Sequence, residues 1–384
     1  MDMPPPMRRF RLTHLALGLA AFALASGRAE AQVWIGLSAP LSGPDAAFGQ
    51  GLRLGAEQAV ADLNRAGGVN GQRLVLVAAD DAGDGKQAVS VARRFAAERV
   101  GLVVGPFNAW AAGLALPAYE EAGIVAVLTG SGFPALTAKG AWNVFRTVPN
   151  DGEQGALAGA YLATRHAGQR IGLVHDKSPF GRGLAEDVAR VLKAKGQPEA
   201  AFETLARGER EASALVARLK RARVDVVYFG GLAAEAAVLL RGLREAGMNV
   251  ALVGSDGLLD PAFPQGAGPG AEGTVMTLAP EPRRLPDVKG AKAPRTPEAD
   301  AVAAQGYAAV EVLRQGVEGA KSTEARAVAA FLRQGRPVRT VLGDIAYDAK
   351  GDLRADPRRP AVILQVWKRT PDGRLDYAGN DVPP

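Results

Sequence analysis

The chain of 384 residues contains no cysteine. That excludes a disulfide, a thiolate nucleophile and a lipid held through a thioether, although an oxidising compartment would permit the first. Histidine is scarce as well: beyond the first thirty-one positions only His166 and His175 occur. Their spacing fits no zinc-ligand pattern, so neither a metal nor any other cofactor is expected. Aromatic residues make up 6%. The short basic clusters at Arg218 to Arg223 and at Arg358-Arg359 have none interleaved, which makes them solvated faces and argues against a nucleic-acid partner. Gly130-Ser131-Gly132 lacks the Gly-x-Ser-x-Gly elbow, and Gly181-x-Gly183 lacks the third glycine of a dinucleotide site, so two enzyme readings fall away. His175-Asp176 has no nucleophile or metal partner to name beside it. The chain is expected not to be an enzyme.

What is present is the balance of a globular protein, with 47% apolar and 22% charged residues and a length that suits two domains. Residues 1–31 stand apart. Arg8, Arg9 and Arg11 are basic, Leu15 to Ala25 is an apolar run too short to span a bilayer, and Ala29-Glu30-Ala31 has a small-x-small form. Together these read as an export signal removed near Ala31. That segment holds four arginines and two acids, so the formal charge of +6 falls to +4 in the remainder.

The densest information lies from Ala39 to Gln87. An apolar strand from Val33 to Leu37 enters the turn Pro40-Leu41-Ser42-Gly43-Pro44. A helical pattern runs through Gly55 to Asn64, Gly67-Gly68 stops it, and a second strand runs from Arg73 to Ala79 toward Asp80-Asp81,. Further on, Val100 to Val104, Ile124 to Leu128, Ile171 to His175, Val224 to Phe229 and Val250 to Val253 read as buried strands. Between them lie helical patterns at Lys86 to Arg99, Trp110 to Ala122, Gln154 to Ala167, Leu184 to Lys195, Ala212 to Arg223 and Ala233 to Gly247,. Such alternation predicts an α/β fold with parallel sheets. Asp151 is placed to cap a helix after Val144 to Pro149, where a change of lobe is expected. Pro261 to Pro297 reads as the least regular stretch, and Pro280 to Pro297 as exposed loop.

In wound sheets a ligand sits at the carboxyl ends of the strands, where helix N-termini offer free N–H groups. Two turns qualify in the first half: Gly105 to Trp110, and Leu128 to Pro134 with its glycines at 130 and 132. Either is also compatible with an ordinary strand-to-helix turn. Asp256 likewise fits an acid facing the crevice or a plain Ser-Asp-Gly turn, and Glu235 either a second cleft acid or a solvated helix position.

Taken in order, Pro40 to Pro44, Asn64 to Gly71, Asp80-Asp81 with Lys86-Gln87, Gly105, Phe145-Arg146-Thr147, His175-Asp176-Lys177 with Phe180-Gly181, Gly230-Gly231, Gly254 to Gly257, Ala271-Glu272-Gly273 and Gly351-Asp352-Leu353 resemble the branched-chain amino-acid-binding (Leu/Ile/Val-binding) family of type I periplasmic binding proteins. The resemblance implies two Rossmann-like lobes joined by three hinge crossings. The expected partition is residues 32–148 with 276–342 in one lobe and 149–275 with 343–384 in the other. It further implies a monomeric periplasmic receptor that delivers a small apolar amino acid, or a related carboxylate or amide, to an ABC permease and ATPase complex. A receptor for aromatic or other organic acids, serving import or chemosensory signalling, is the alternative. The ligand-binding positions it implies are Phe48, Ala109, Trp110, Gly130, Ser131, Gly132, Phe180, Leu232 and Asp256. Several depart from the family pattern. Hydroxyl-bearing residues are usual where Ala109 and Gly132 stand, and tyrosine where Phe48, Phe180 and Leu232 stand, so a drier and more apolar pocket is expected. Asp256 holds the place of the acid that meets a ligand ammonium.

Overall fold

The computed structural model describes residues 32–43, 45–280, 297–354 and 360–383, with Met1 and Met3, and gives the backbone alone for 297–301. The expected export signal, most of the run from Pro280 to Pro297, and Arg358-Arg359 lie outside the described residues. Among those described, no helix is long and apolar enough to cross a membrane.

The first sheet is built from β1 (Gln32–Ala39), β2 (Arg73–Asp80), β3 (Leu102–Val104), β4 (Val125–Leu128) and β5 (Val144–Arg146). Its order is β2-β1-β3-β4-β5 and every pairing is parallel. Leu102-Val103-Val104 and Val125 to Leu128 are buried without a break, as strands covered on both faces must be. One face packs on α1 (Ala46–Arg65), which stops at Gly67 and Gly68 with φ of 103° and 75°. The other packs on α2 (Gly85–Ala97) and α3 (Ala109–Glu121). Ile35 and Leu37 thus meet Ala56 and Ala59 of α1, while Val103 and Ala126 meet Phe95 and Tyr119. A short helix, α4 (Ala135–Ala138), follows β4.

The second sheet begins after α5 (Asp151–Arg165). β6 (Ile171–His175), α6 (Pro179–Ala194), β7 (Ala201–Thr204), α7 (Ser213–Arg221), β8 (Val226–Gly230), α8 (Ala233–Glu245), β9 (Ala251–Gly254), α9 (Ala262–Ala267) and β10 (Val275–Leu278) follow in turn. The chain then forms α10 (Pro297–Ala320), α11 (Ala325–Leu332) and the antiparallel ribbon of β11 (Val338–Thr340) and β12 (Gly343–Ile345). It ends with β13 (Ile363–Val366), β14 (Lys368–Arg369), β15 (Leu375–Asp376) and β16 (Asp381–Val382). The second sheet has the order β16-β13-β10-β9-β8-β6-β7, parallel from β10 to β7 and antiparallel at β13 and β16. Two apolar layers cover it, one with α7, α8 and α9 and one with α5 and α6.

α10 returns to the first lobe and crosses α1 closely. A Cβ on Gly55 would lie 1.9 Å from the Ala303 carbonyl oxygen, and one on Gly306 2.3 Å from that of Leu52. Only glycine lets the two backbones meet there.

Sheet membership moves two expected boundaries. Val275–Leu278 lies in the second sheet, so the chain leaves that lobe after Leu278 and not at 276. Residues 343–353 stay with the first lobe, because Tyr347 is buried in its core and Ile345 and Leu353 pack on it. The return to the second sheet comes with β13. The stretch from Pro261 onward is also more regular than expected, holding α9 and β10.

At the first crossing, Arg146 is wholly buried. Its Nε lies 2.7 Å from Asp352 Oδ1, and its Nη1 and Nη2 donate to the carbonyls of Ser131 and Phe133, each at 3.3 Å. Asp352 in turn accepts from Thr137 Oγ1 at 2.8 Å and Asn150 Nδ2 at 3.0 Å. A buried charge whose partner is removed is strongly destabilising. Asp352→Ala is expected to cost about 3–5 kcal/mol, read as a lower midpoint in urea denaturation; a midpoint within error of the parent would contradict the assignment.

Candidate functional site

The cleft side of the first lobe is fixed by its strand ends. Asp80 Oδ1 accepts from the amides of Leu41, Ser42 and Ala82 at 2.8, 3.3 and 2.8 Å, which pins the turn after β1 against the end of β2. Burial works against the charge, yet the hydrogen bonds from Ser42, Ala82 and Leu41 hold Asp80 below the usual carboxylate range. Asp81 is fully buried and accepts from Ser38 Oγ at 2.7 Å and the Gly83 amide at 3.0 Å; burial pushes its carboxyl up. The acidic pair therefore shapes the loop.

Two lobe-one turns then present polar groups. Asn108 caps α3 by accepting from the Ala111 amide at 3.0 Å. That leaves the amides of Ala109 and Trp110 as first-turn N–H groups with no acceptor in their own helix. After β4, Ser131 is buried, and its Oγ accepts from the Phe133 amide at 3.3 Å. Gly130 lies so close to Phe107 that a Cβ would stand 2.3 Å from the ring. Phe48, in the first turn of α1, stacks on Phe107 with centroids 5.7 Å apart and planes at 16°. Phe107 was not among the expected residues, although it sits in the turn that the sequence singles out. Trp110 is 65% exposed and its indole nitrogen lies beside Gly85 at the start of α2.

Gly132 is constrained from the other lobe. A Cβ there would stand 2.1 Å from Asp151 Oδ1 and 2.5 Å from the Pro149 carbonyl, and the Asp151 amide donates to the Gly132 carbonyl at 2.8 Å. The missing side chain is thus replaced by the Asp151 carboxyl.

In the second lobe, Phe180 occupies the first turn of α6 and packs on the core beneath it. Leu232 precedes α8 and leans on Gly257, whose Cβ would lie 3.3 Å from Leu232 Cδ2. Asp256 opens the 3₁₀ turn after β9 and is half-buried; its Oδ1 is shielded from solvent and has no hydrogen-bond partner. Glu235 is buried, with Oε1 accepting from the Gly208 amide at 2.8 Å, and so belongs to a loop anchor. His175 and Asp176 also make local turns, the latter accepting from the Ser178 amide at 2.9 Å.

The residue that sequence reasoning misplaced is Asp151. The cap of α5 is Asn150, whose Oδ1 accepts from the Gly152 amide at 2.9 Å. Asp151 is instead buried in the first turn, 3.4 Å from Gln154 Nε2, and Gln154 Oε1 accepts from Thr277 Oγ1 at 2.9 Å. Burial, then the charge of Asp256, pushes Asp151 up to about 7, with Arg146 and Gln154 opposing. Burial pushes Asp256 up to about 6, with the neighbouring Gln154 side chain opposing. The signal available was Asp151-x-x-Gln154-Gly155 directly after the Phe-Arg-Thr segment. Among the described residues no group of His, Asp and Glu is arranged to hold a metal.

The two walls are chemically unequal. Lobe one offers amides and a hydroxyl; lobe two offers carboxyl groups, one of them partly without a donor.

Residues 32–370 match the model of a family described as periplasmic binding protein. A Leu/Ile/Val-binding protein homologue of Brucella melitensis is 38% identical over 369 residues, which are 94% of this chain and 97% of that protein. Among solved structures, the isoleucine-bound branched-chain amino acid transporter substrate-binding protein LivJ of Streptococcus pneumoniae superposes with a TM-score of 0.75 at 23% identity, covering 92% of this chain and 100% of its own. A solute-binding protein of an ABC transporter from Rhodopseudomonas palustris, in complex with p-hydroxybenzoic acid, gives 0.76 at 15% identity, covering 92% and 97%.

The raised carboxyls make stability depend on pH. The folded protein keeps protons on Asp151 and Asp256 that the unfolded chain, with carboxyls near 3.8, has already released. Stability therefore declines as pH rises from about 4 through about 7. Asp151→Asn is expected to be about 1–3 kcal/mol more stable than the parent at pH 8 and close to it at pH 4. Urea denaturation at both pH values checks this; a variant weaker than the parent at pH 8 would contradict it.

Proposed function

The chain belongs to the Leu/Ile/Val-binding family of periplasmic binding proteins, and on that premise we propose that it captures a small, largely apolar amino acid, or a related carboxylate or amide, between its lobes. Capture occurs in the periplasm, by a monomer, and the closed form hands the ligand to the permease and ATPase complex of an ABC importer. The observation that carries this reading is the pairing of donor amides on one wall with an incompletely satisfied carboxyl, Asp256, on the other. A zwitterion fits such a cleft in one orientation.

In that orientation the ligand carboxylate takes the amides of Ala109 and Trp110, the hydroxyl of Ser131 and the glycine backbone at 130 and 132. Helix N-termini hold an anion without any basic side chain. The ammonium faces Asp256, and the ligand side chain lies among Phe48, Phe180 and Leu232. Burying a side chain of leucine size contributes about 1.5–3 kcal/mol. Only the closed form lets one ligand touch both walls, so its differential contact shifts the population toward closure.

A receptor for aromatic acids, feeding import or a chemosensory partner, is the second reading. It is favoured by the Phe48–Phe107 stack, a flat apolar face beside the proposed carboxylate site, and by the ligand of the Rhodopseudomonas palustris protein.

Calorimetry with branched-chain and aromatic amino acids, benzoic acids and short amides separates the two. Heat with at least one amino acid is expected, and no heat with any would refute the first reading. Asp256→Ala is expected to weaken an amine-bearing ligand by roughly a hundredfold or more, the scale of a buried charge left unpaired, and to leave a benzoate within a few fold. Equal losses for both would make Asp256 a turn residue.

A further inference from the structure

Asp151 and Asp256 come from different elements, the start of α5 and the turn after β9, yet the charge of Asp256 bears on Asp151, and Thr277 Oγ1, hydrogen-bonded to Gln154, also lies 3.5 Å from the carbonyl of Gly254, two residues before Asp256. Gln154 Nε2 lies 3.4 Å from Asp151 Oδ1, and the Gln154 side chain also serves Asp256. Its oxygen is taken by Thr277 Oγ1 at 2.9 Å, which fixes the amide with its donors toward the acids. The two N–H donors of one primary amide are too few for the four oxygens of two carboxylates, and Asp256 Oδ1 is left buried without a donor. A second, independent orphan stands beside them. Tyr228 is wholly buried and its hydroxyl has no partner, while the charges of Asp256, Asp151 and Asp187 all bear on it.

The charged surroundings are few. Arg146, from β5, acts on Asp151 but is committed to Asp352. Asp187, from α6, adds negative charge and is paired outward with Arg190. Ser255 and the Gly257 amide, which donates to Ser255 Oγ at 3.3 Å, both favour the charged form of Asp256, and both are neutral. Among the described residues no cation is thus set against Asp256, and two ionised carboxylates in one buried site are mutually costly.

We infer that Asp151 and Asp256 retain one proton between them while no ligand is bound, and that the ammonium of an incoming amino acid replaces it, so that capture releases a proton to solvent. The inference rests on the proposal that the ligand carries an amine. The exchange is a simple proton balance: one carboxyl O–H ionises, the proton leaves with water or buffer, and the resulting carboxylate pair faces a cation. A ligand with a carboxylate and no amine brings no cation to this end of the cleft and leaves the proton in place. The acid pair therefore selects between the two ligand classes, and it lowers affinity for amino acids as the medium turns acid. The two carboxyls titrate as a coupled unit, so the release belongs to the pair.

Titration calorimetry of the full protein with L-leucine, L-valine and L-phenylalanine near pH 6, in buffers of differing ionisation enthalpy, measures the proton count directly. Release of about one proton per amino acid is expected between pH 6 and 7, with affinity rising close to tenfold per pH unit over that interval and levelling above about pH 8. Binding of any of the three with no proton release overturns the exchange and leaves the amino-acid reading intact. Absence of heat with all three overturns both. Carbon-13 NMR of the aspartate carboxyls in the ligand-free protein tests the pair by itself. Two transitions well above the ordinary carboxylate range are expected, with Asp256→Asn moving the remaining Asp151 transition down. Ordinary titration of both near pH 4 would overturn the shared proton.

Discussion

Arg146 has none of its side chain in contact with water, and its ion pair joins several segments where the two lobes meet. Its guanidinium meets Asp352 from the segment that precedes the third crossing and holds the carbonyls of Ser131 and Phe133 in the loop after β4, while Arg146 itself ends the last strand of the first sheet. Asp352 ties in Asn150, which caps α5 in the second lobe. One ion pair thus fixes the loop after β4, a returning chain and the first helix of the opposite lobe. Such a pair contributes less to net stability than to where its partners stand, because desolvation offsets much of its attraction.

From that junction the asymmetry of the cleft follows. The loop held by Arg146 presents Ser131 and a glycine-lined backbone, and Gly132 makes room for the Asp151 carboxyl. Lobe one consequently has donors at its helix start and lobe two has acids at its hinge side. A hydroxyl-bearing side chain at 132 would collide with Asp151, so the loss of side-chain donors on one wall and the burial of an acid on the other are one structural choice. The apolar surfaces of Phe48 and Phe107 complete a wall that is poor in water-binding groups.

The alternation of strands and helices was readable because parallel strands buried on both faces are continuous apolar runs, and the helices between them carry apolar residues at helical spacing. β13 and β16 were not, being short antiparallel strands at one side of the sheet, and α10 follows a run rich in proline and glycine that conceals its start. Position along the chain placed Ala109, Gly130 and Asp256 at strand or helix ends, where the fold does put them, whereas Phe48 was named through the resemblance alone and α1 begins well before the pattern from Gly55. It misjudged Asp151, because an acid at a helix start has the same local pattern whether it caps the helix or is buried against another lobe. Only the packing of Gly132, Gln154 and Tyr228 around it separates the two. The lobe boundaries were missed for a similar reason: β10 and the Tyr347 segment are assigned by the sheet and core they join, which no local pattern encodes.

The central claim is that a zwitterion spans two chemically unlike walls. A crystal structure of the protein grown with L-leucine tests it most directly. The account requires density for one amino acid between the lobes, its carboxylate on the amides of Ala109 and Trp110 and its ammonium within hydrogen-bond reach of Asp256. An amino acid bound the other way round, or a closed cleft in which Asp256 faces water and touches no ligand, would contradict it.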